Sequence, residues 1–503
     1  MKPTICLTAF LGTSLLLLTN SSPLALAVVI PPEPMEIGHE PQFVFDLYAV
    51  DTTWGLKSKG EPVKRVLHQP KKHPANPLIT GDDPSHLWAL RESDGTFRMW
   101  YQANVKNAKD SKLKGNYSIS VAYAESKDGV HWEKPALDLF PNAKEWNLAR
   151  NTVIHHIAAP QCGSGAPQIL DLPEKDRRGF RYVMHYLGST APLNGIRLVG
   201  SNDGIHWDEK SDTLIAKLPS DTHNTIHYDA AHGEYVMFCR SKHIYHAIGQ
   251  TKDPLSGGES RRGLSRMSSK ELWTEWNIRP QTMLMPDERD AELGYNYFMA
   301  MPVHRHAGIW WGHLAPFLWN DLYASEIAWS RDGWNFERLP ARQHLIEFGP
   351  KGAWDHSMVV GTARWVEVGD EWWIYYAGFD GAHDDPKGRV GAIGLATLRK
   401  EGFISQHGPK TGGVVCTRAI RWPGGGLLVN VDAKAGEMKV RVSDELRKPI
   451  KGLNYDDMPP FKDDSVAQEV KWGSKSLDEL KGKVVRLEFQ LKDADLYTFR
   501  AAD

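Results

Sequence analysis

Ser126-Lys127-Asp128-Gly129-Val130-His131-Trp132 decides the fold, because the same phrase returns twice more. It returns as Ser201-Asn202-Asp203-Gly204-Ile205-His206-Trp207 and as Ser330-Arg331-Asp332-Gly333-Trp334-Asn335-Phe336. Each copy reads S-x-D-G-x-x-(W/F). The Asp can accept backbone N–H groups in a tight turn, the Gly supplies positive φ, and the aromatic packs back between strands. A degraded copy lies at Ser269–Trp276, behind an insertion near Pro254–Arg262, and Leu398–Phe403 stands in its place at the end. These Asp-Gly turns are read as structural turns of an outer rim.

Upstream of each turn runs a short apolar, aromatic strand. The copies are Arg98–Tyr101, Tyr182–Tyr186, Tyr235–Phe238, Ile309–Gly312 and Trp372–Tyr376. Most follow a charged or Gly-containing turn, at Asp94-Gly95, Arg178-Gly179, His232-Gly233 and Gly369-Asp370. Turn plus alternating strand is a hairpin signal. Units of four strands repeated in series mark a β-propeller. The reading is therefore all-β: a five-bladed β-propeller over residues 43–405, followed by a β-sandwich over 411–503. Gln42–Val50 is expected to add a strand to the fifth blade and close the ring. The sandwich is read from alternating strands at Leu427–Val431, Met438–Val442, Val484–Leu491 and Leu496–Phe499. Its expected role is to pack on the propeller.

The 503 residues allow two to four domains at roughly 100–200 residues each. A composition of 41% hydrophobic and 24% charged residues excludes a disordered or fibrous chain. The formal charge of −2 comes with no basic run, so nucleic acid is not an expected partner. Residues 1–27 read as a signal peptide: Lys2, an apolar Leu7–Leu18 and an Ala25-Leu26-Ala27 cleavage site. Residues 28–42 form a Pro-rich tether. The mature chain is expected to be secreted or periplasmic, without a membrane anchor. Cys162, Cys239 and Cys416 are an odd, widely spaced set, which is neither a disulfide scaffold nor a thiolate metal site. The 19 Trp are either core residues or, where exposed, platforms for sugar rings.

In a propeller the innermost strand of each blade opens into the axial funnel. Residues preceding those strands are acidic in four units: Asp82-Asp83-Pro84, Asp221-Thr222-His223-Asn224, Asp287, Asp290 and Glu292 before Tyr295, and Trp354-Asp355-His356. Unit two offers only the neutral Gln161–Gln168 stretch. Converging carboxylates raise one another's pKa. A pair of them is the equipment for glycosidic hydrolysis, one as acid and one as base or nucleophile. Asp at a strand entrance is equally a turn cap.

The stretch Asn76-Pro77-Leu78-Ile79-Thr80-Gly81-Asp82-Asp83-Pro84-Ser85 resembles the opening of five-bladed propeller glycoside hydrolases. It is similar to the N-P…G…D-P-S stretch of family 43 and, more loosely, to the N-D-P-N-G stretch of family 32. The resemblance implies that Asp83 is base or nucleophile. The R-D-P and E-C motifs of family 32 are missing, so the resemblance does not assign the acid. Glu292 is the only Glu among the candidates and Asp290 is its rival. Asp221 and Asp355 are then expected to position hydroxyls or tune the acid. His223, Asn224, Tyr295, Trp354 and His356 are expected to bind substrate. The expected partner is a carbohydrate. No cofactor is expected; a weak Ca²⁺ in the channel is left open, with no close ligand cluster for a catalytic metal. A non-catalytic carbohydrate-binding propeller and a sialidase-like hydrolase stand as alternatives. The latter needs an arginine triad that no motif here reveals.

Overall fold

In the computed structural model the five apolar strands each become the second strand of a separate antiparallel sheet. The structure describes residues 33–108, 117–155, 164–188, 195–218, 220, 222–241, 262–277 and 279–503. The signal-peptide and cleavage-site expectations, Cys162 and Asp221 lie outside the described residues.

The sheets follow one another along the chain. The first runs Ser85–Arg91, Phe97–Lys106, Tyr117–Ser126, Thr152–Ile154. The second spans Ser164–Ile169 to Trp207–Ala216 and the third Thr225–Asp229 to Gln281–Leu284. The fourth spans Tyr295–Ala300 to Glu337–Arg338. The fifth is built on Met358–Val360, Glu371–Phe379 and Gly391–Arg399. Each sheet buries one apolar face against the next. Trp100 and Tyr123 pack with Tyr182 and Met184. Val183 and Leu198 pack with Ile226 and Met237. Phe238 meets Trp310 and Val303, and Trp311 meets Trp372 and Ile374. Tyr375 and Leu395 of the fifth sheet pack on Leu87 and Tyr101 of the first. The result is a closed, propeller-like ring of five sheets, nearly all β.

The Asp-Gly turns join the third strand of a sheet to its last. Asp128 Oδ1 accepts from the Val130 and His131 amides at 2.9 and 2.8 Å, and Asp203 and Asp332 repeat the pattern. The glycine is needed for close approach as well as for its positive φ (+75° at Gly129, +79° at Gly204). A Cβ on Gly129 would come within 2.7 Å of the Tyr375 hydroxyl, and one on Gly204 within 2.8 Å of Trp100. Tyr375 and Trp100 donate to those glycine carbonyls. The repeated phrase therefore fastens each of these two sheets to the one before it.

Ring closure differs from expectation. Lys71–Lys72, not Gln42–Val50, is the outer strand of the fifth sheet, paired with Ala396–Thr397. Gln42–Phe43 and Val50–Gly55 pair instead with C-terminal strands. Two six-stranded sheets there share one core, including Trp422, Val429, Val440, Phe489 and Phe499. Met35–Glu36 pairs with Ile420–Arg421, so part of the expected tether is strand. Ile404–Gly408 likewise belongs to this pair of sheets rather than to the ring. Cys239 and Cys416 are buried free thiols.

Candidate functional site

A cavity of about 610 Å³ opens at one end of the ring. Antiparallel pairing decides what surrounds it. The start of a sheet's first strand lies beside the end of its second, as Ser85 lies opposite Gln102. Two sets of connections therefore meet at this end: those entering the first strand and those joining the second strand to the third. The first set supplies Asp83, Ser85, His86 and Thr222. The second supplies Arg262, Tyr323, His383, Asp384, Asp385 and Arg389.

Asp83 stands on a strained turn: Gly81, Asp82 and Asp83 all have positive φ, at 73°, 56° and 46°. The turn is pinned. Asn104 donates from its backbone to the Asp82 carbonyl and from its side chain to the Asp83 carbonyl, both at 2.7 Å. Lys134 holds the Asp82 carboxylate at 2.8 Å. The Gly391 amide donates to Asp83 Oδ1. That approach needs glycine, since a Cβ on Gly391 would come within 2.8 Å of Asp83 Oδ1, Phe379 and the Pro84 carbonyl. Burial pushes the Asp83 carboxyl above the ordinary carboxylate range; the Gly391 amide and Arg389 oppose this, and Asp380 adds to it.

Next to this wall stands a group of neutral imidazoles, with His86, His185 and His313 around His223. His223 is buried with its ring 4.8 Å from that of His86. His185 Nε2 donates to the Asn224 carbonyl at 2.6 Å, and His313 Nε2 bonds Ser325 Oγ at 2.6 Å. Burial pushes His86, His185 and His313 down to about 4. Among the described residues no cluster of three or more His, Cys, Asp or Glu could hold a metal ion.

Of the residues singled out from sequence, Asp83 and His223 are the ones brought to this region. Asn224 is beside them but is wholly engaged in structure: its amide donates to the Thr222 carbonyl and its oxygen accepts from Ser220. Asp290 does not line the cavity. It closes a capping box with Asp287 on the short helix Glu288–Glu292 and is buried against Arg338 at 2.7 Å. Glu292 is paired with Arg289 on the surface of that helix, 65% exposed in its side chain, so the desolvation expected to hold its proton is missing. Tyr295 is buried beside Glu326 instead. Asp355 is buried between Lys72 at 2.6 Å and the Tyr376 hydroxyl at 2.9 Å. Trp354 stacks on Tyr376 with centroids 5.4 Å apart, filling space left by Gly378 and Gly394. His356 donates to the Ala353 carbonyl within its own turn.

Sequence reading missed the second set of connections. Arg240, Arg262 and Arg389 are far apart in the chain and match no motif. The signal that could have found them is topological: each falls at the end of a second strand or just before a third. The same rule places Trp319, which follows the second strand of the fourth sheet. It is 65% exposed, whereas the other tryptophans are buried or half-buried. Its amide donates to the Gly294 carbonyl, and the neighbouring Asp321 carbonyl accepts from His383 at the cavity mouth.

The sequence matches no protein-family model and no curated protein. Solved structures similar to it include a glycosyl hydrolase from Bacteroides ovatus, at 14% identity over 67% of this chain and 97% of that one, with a TM-score of 0.46. A β-1,2-mannobiose phosphorylase from Listeria innocua is similar at 14% identity, over 65% of this chain and 96% of that one, with a TM-score of 0.43. A thermostable family-43 glycoside hydrolase is similar at 13% identity, over 65% and 92%, with a TM-score of 0.41.

Proposed function

We propose that the protein is an exported glycoside hydrolase acting on an oligo- or polysaccharide in the axial cavity. The observation that carries this reading is Asp83: a partly desolvated carboxylate on the cavity wall, its carbonyl held by Asn104 and one carboxylate oxygen by the Gly391 amide, on a turn that Asn104 and Lys134 pin at Asp82. Desolvation makes it a stronger base than a free Asp, which suits a proton acceptor or nucleophile near neutral pH. The second carboxylate comes from the segment His383–Arg389 and its neighbour Asp380, in place of Glu292. Asp384 and Asp385 line the same cavity. In this scheme the leaving glycosidic oxygen faces the side of the cavity that carries Asp384 and Asp385 and takes its proton there. Asp83 either takes a proton from the attacking water or attacks the anomeric carbon itself. Trp319 offers a ring face at the rim for a sugar further along the chain.

The test is a screen of the purified protein on furanosidic and pyranosidic aryl glycosides and polysaccharides, with Asp83→Asn alongside. Turnover by the wild type that falls about 10²–10⁴-fold in the variant supports the reading. Sugar binding without turnover would replace it with a non-catalytic carbohydrate-binding protein.

A further inference from the structure

Three arginines converge where the sequence showed none together. Arg240 lies at the end of the strand Glu234–Ser241, Arg262 directly precedes Gly263–Ser269, and Arg389 precedes Gly391–Arg399. Arg240 Nη1 donates to the Met299 carbonyl at 3.2 Å, and Arg262 Nη1 lies 2.9 Å from Met299 Sδ. A run of rings leads from them to the third arginine. The Arg262 guanidinium lies 5.0 Å over Tyr297, which stacks on Phe317 at 4.5 Å. Phe317 meets Tyr323 at 5.1 Å, and Tyr323 meets His383 at 5.3 Å. Arg389 donates to the His383 carbonyl and lies 5.3 Å over Phe379. Arg262, Met299, Tyr323, Phe379, His383 and Arg389 all line the one cavity.

Asp83, Asp384 and Asp385 line the same cavity, and Arg389 acts on Asp83 through space rather than in contact. Among the described residues neither Arg262 nor Arg389 forms an ion pair with a carboxylate. The Tyr323 side chain is 7% exposed, and its hydroxyl has no hydrogen-bond partner among the described residues. Burial, with the charge of Arg262 added, pushes Arg240 down to about 9. The wall carboxylates have other engagements: Asp83 with the Gly391 amide, Asp384 with His383 at 2.8 Å, and Asp385 with the Lys387 amide at 2.8 Å. Arg262 and Arg389 are half-buried at the cavity wall, and a planar or tetrahedral oxyanion offers acceptors that two such guanidinium groups and a buried phenol can share.

We propose that Arg262, Arg389 and Tyr323, backed by Arg240, form an oxyanion site in the axial cavity. Its ligand is a carboxylate or sulfate carried by the sugar, or free inorganic phosphate. This rests on the glycosidase reading for its place in a reaction. An anion on the sugar would make the substrate a uronide or a sulfated glycan. Free phosphate would be the acceptor: its oxygen bonds to the anomeric carbon as the glycosidic bond breaks, and the leaving oxygen takes a proton, giving a sugar phosphate and a shortened chain.

The test is calorimetric titration of the whole protein at low salt with phosphate, sulfate and glucuronate, which needs no turnover. A failed substrate screen therefore leaves this result standing. Saturable binding is expected for at least one of them, weakened about tenfold or more in Arg262→Gln and Arg389→Gln. Arg389→Lys should fall between, and Tyr323→Phe should weaken binding without loss of charge. These two variants serve if a glutamine variant fails to fold. Tighter glucuronate or sulfate binding, with preferred cleavage of charged glycosides, assigns the anion to the sugar. Tighter phosphate binding, with sugar phosphate formed from a neutral glycoside, assigns it to the acceptor. No saturable binding of any of the three, or binding unchanged in all four variants, overturns the proposal.

Discussion

Replacing Arg338 by Met should unfold more than it should inactivate. Arg338 is 4% exposed and reaches two buried carboxylates, Asp290 at 2.7 Å and Glu326 at 2.6 Å, themselves 0% and 2% exposed. Removing one partner of a buried pair costs about 3–5 kcal/mol, because the other charge stays buried. Here the lower end applies. Arg342 Nε remains 3.5 Å from Asp290, so Glu326 alone loses its cation. The pH dependence follows from Glu326, whose carboxyl is raised above 4.5 by burial, with Arg338 opposing. A raised carboxyl contributes its stability in full below the unfolded value and loses it as pH rises through the folded one. Removing Arg338 lifts the folded value further. The deficit of Arg338→Met should therefore widen between about pH 4.5 and neutrality. Urea unfolding followed by tryptophan fluorescence at both pH values measures it. A loss below about 1 kcal/mol, the size of an exposed pair, or a deficit that does not widen, would refute the reasoning.

Asp128→Ala, Asp203→Ala and Asp332→Ala should each lower stability by about 1–2 kcal/mol through lost turn hydrogen bonds, with turnover per folded molecule unchanged; inactivation at wild-type melting would contradict this. Asp332 is held down to about 2 by amide and Asn335 hydrogen bonds working against burial, so its contribution is present above pH 3.8 and lost as pH falls toward 2. The buried histidines should make the ring acid-sensitive: with folded values near 4 for His86, His185 and His313 against 6.5 unfolded, stability falls as pH drops through that window, and a flat melting midpoint across it would contradict their burial. Trp319→Ala should raise KM about three- to tenfold on oligosaccharides and leave a monosaccharide aryl glycoside unaffected; an equal effect on both would remove its role at the rim.

The five apolar strands and the Asp-Gly turns were legible because both obey local rules: a period of two, and a side chain that caps its own turn. The site was legible only where a turn motif carries it. Asp83 is announced by Gly81 and Pro84 around it. Asp290 and Asp355 sit at corresponding places in their units, yet each found a buried cation, Arg338 and Lys72, that sequence spacing does not reveal. Gln42–Val50 has strand character but no local feature naming its partner, and the C-terminal sheets took it. The arginines were hidden for the same reason, since only the pairing of second and third strands brings residues 240, 262 and 389 to one rim.

The most direct test of the whole account is the turnover of Asp83→Asn on a glycoside the wild type cleaves. Asn keeps the shape and can still accept from the Gly391 amide, but it cannot act as base or nucleophile. Because burial raises the Asp83 carboxyl, removing its charge should leave stability at neutral pH unchanged or higher. The account predicts turnover lower by about 10²–10⁴-fold in a protein that melts no earlier than the wild type. Full turnover in that variant would contradict it.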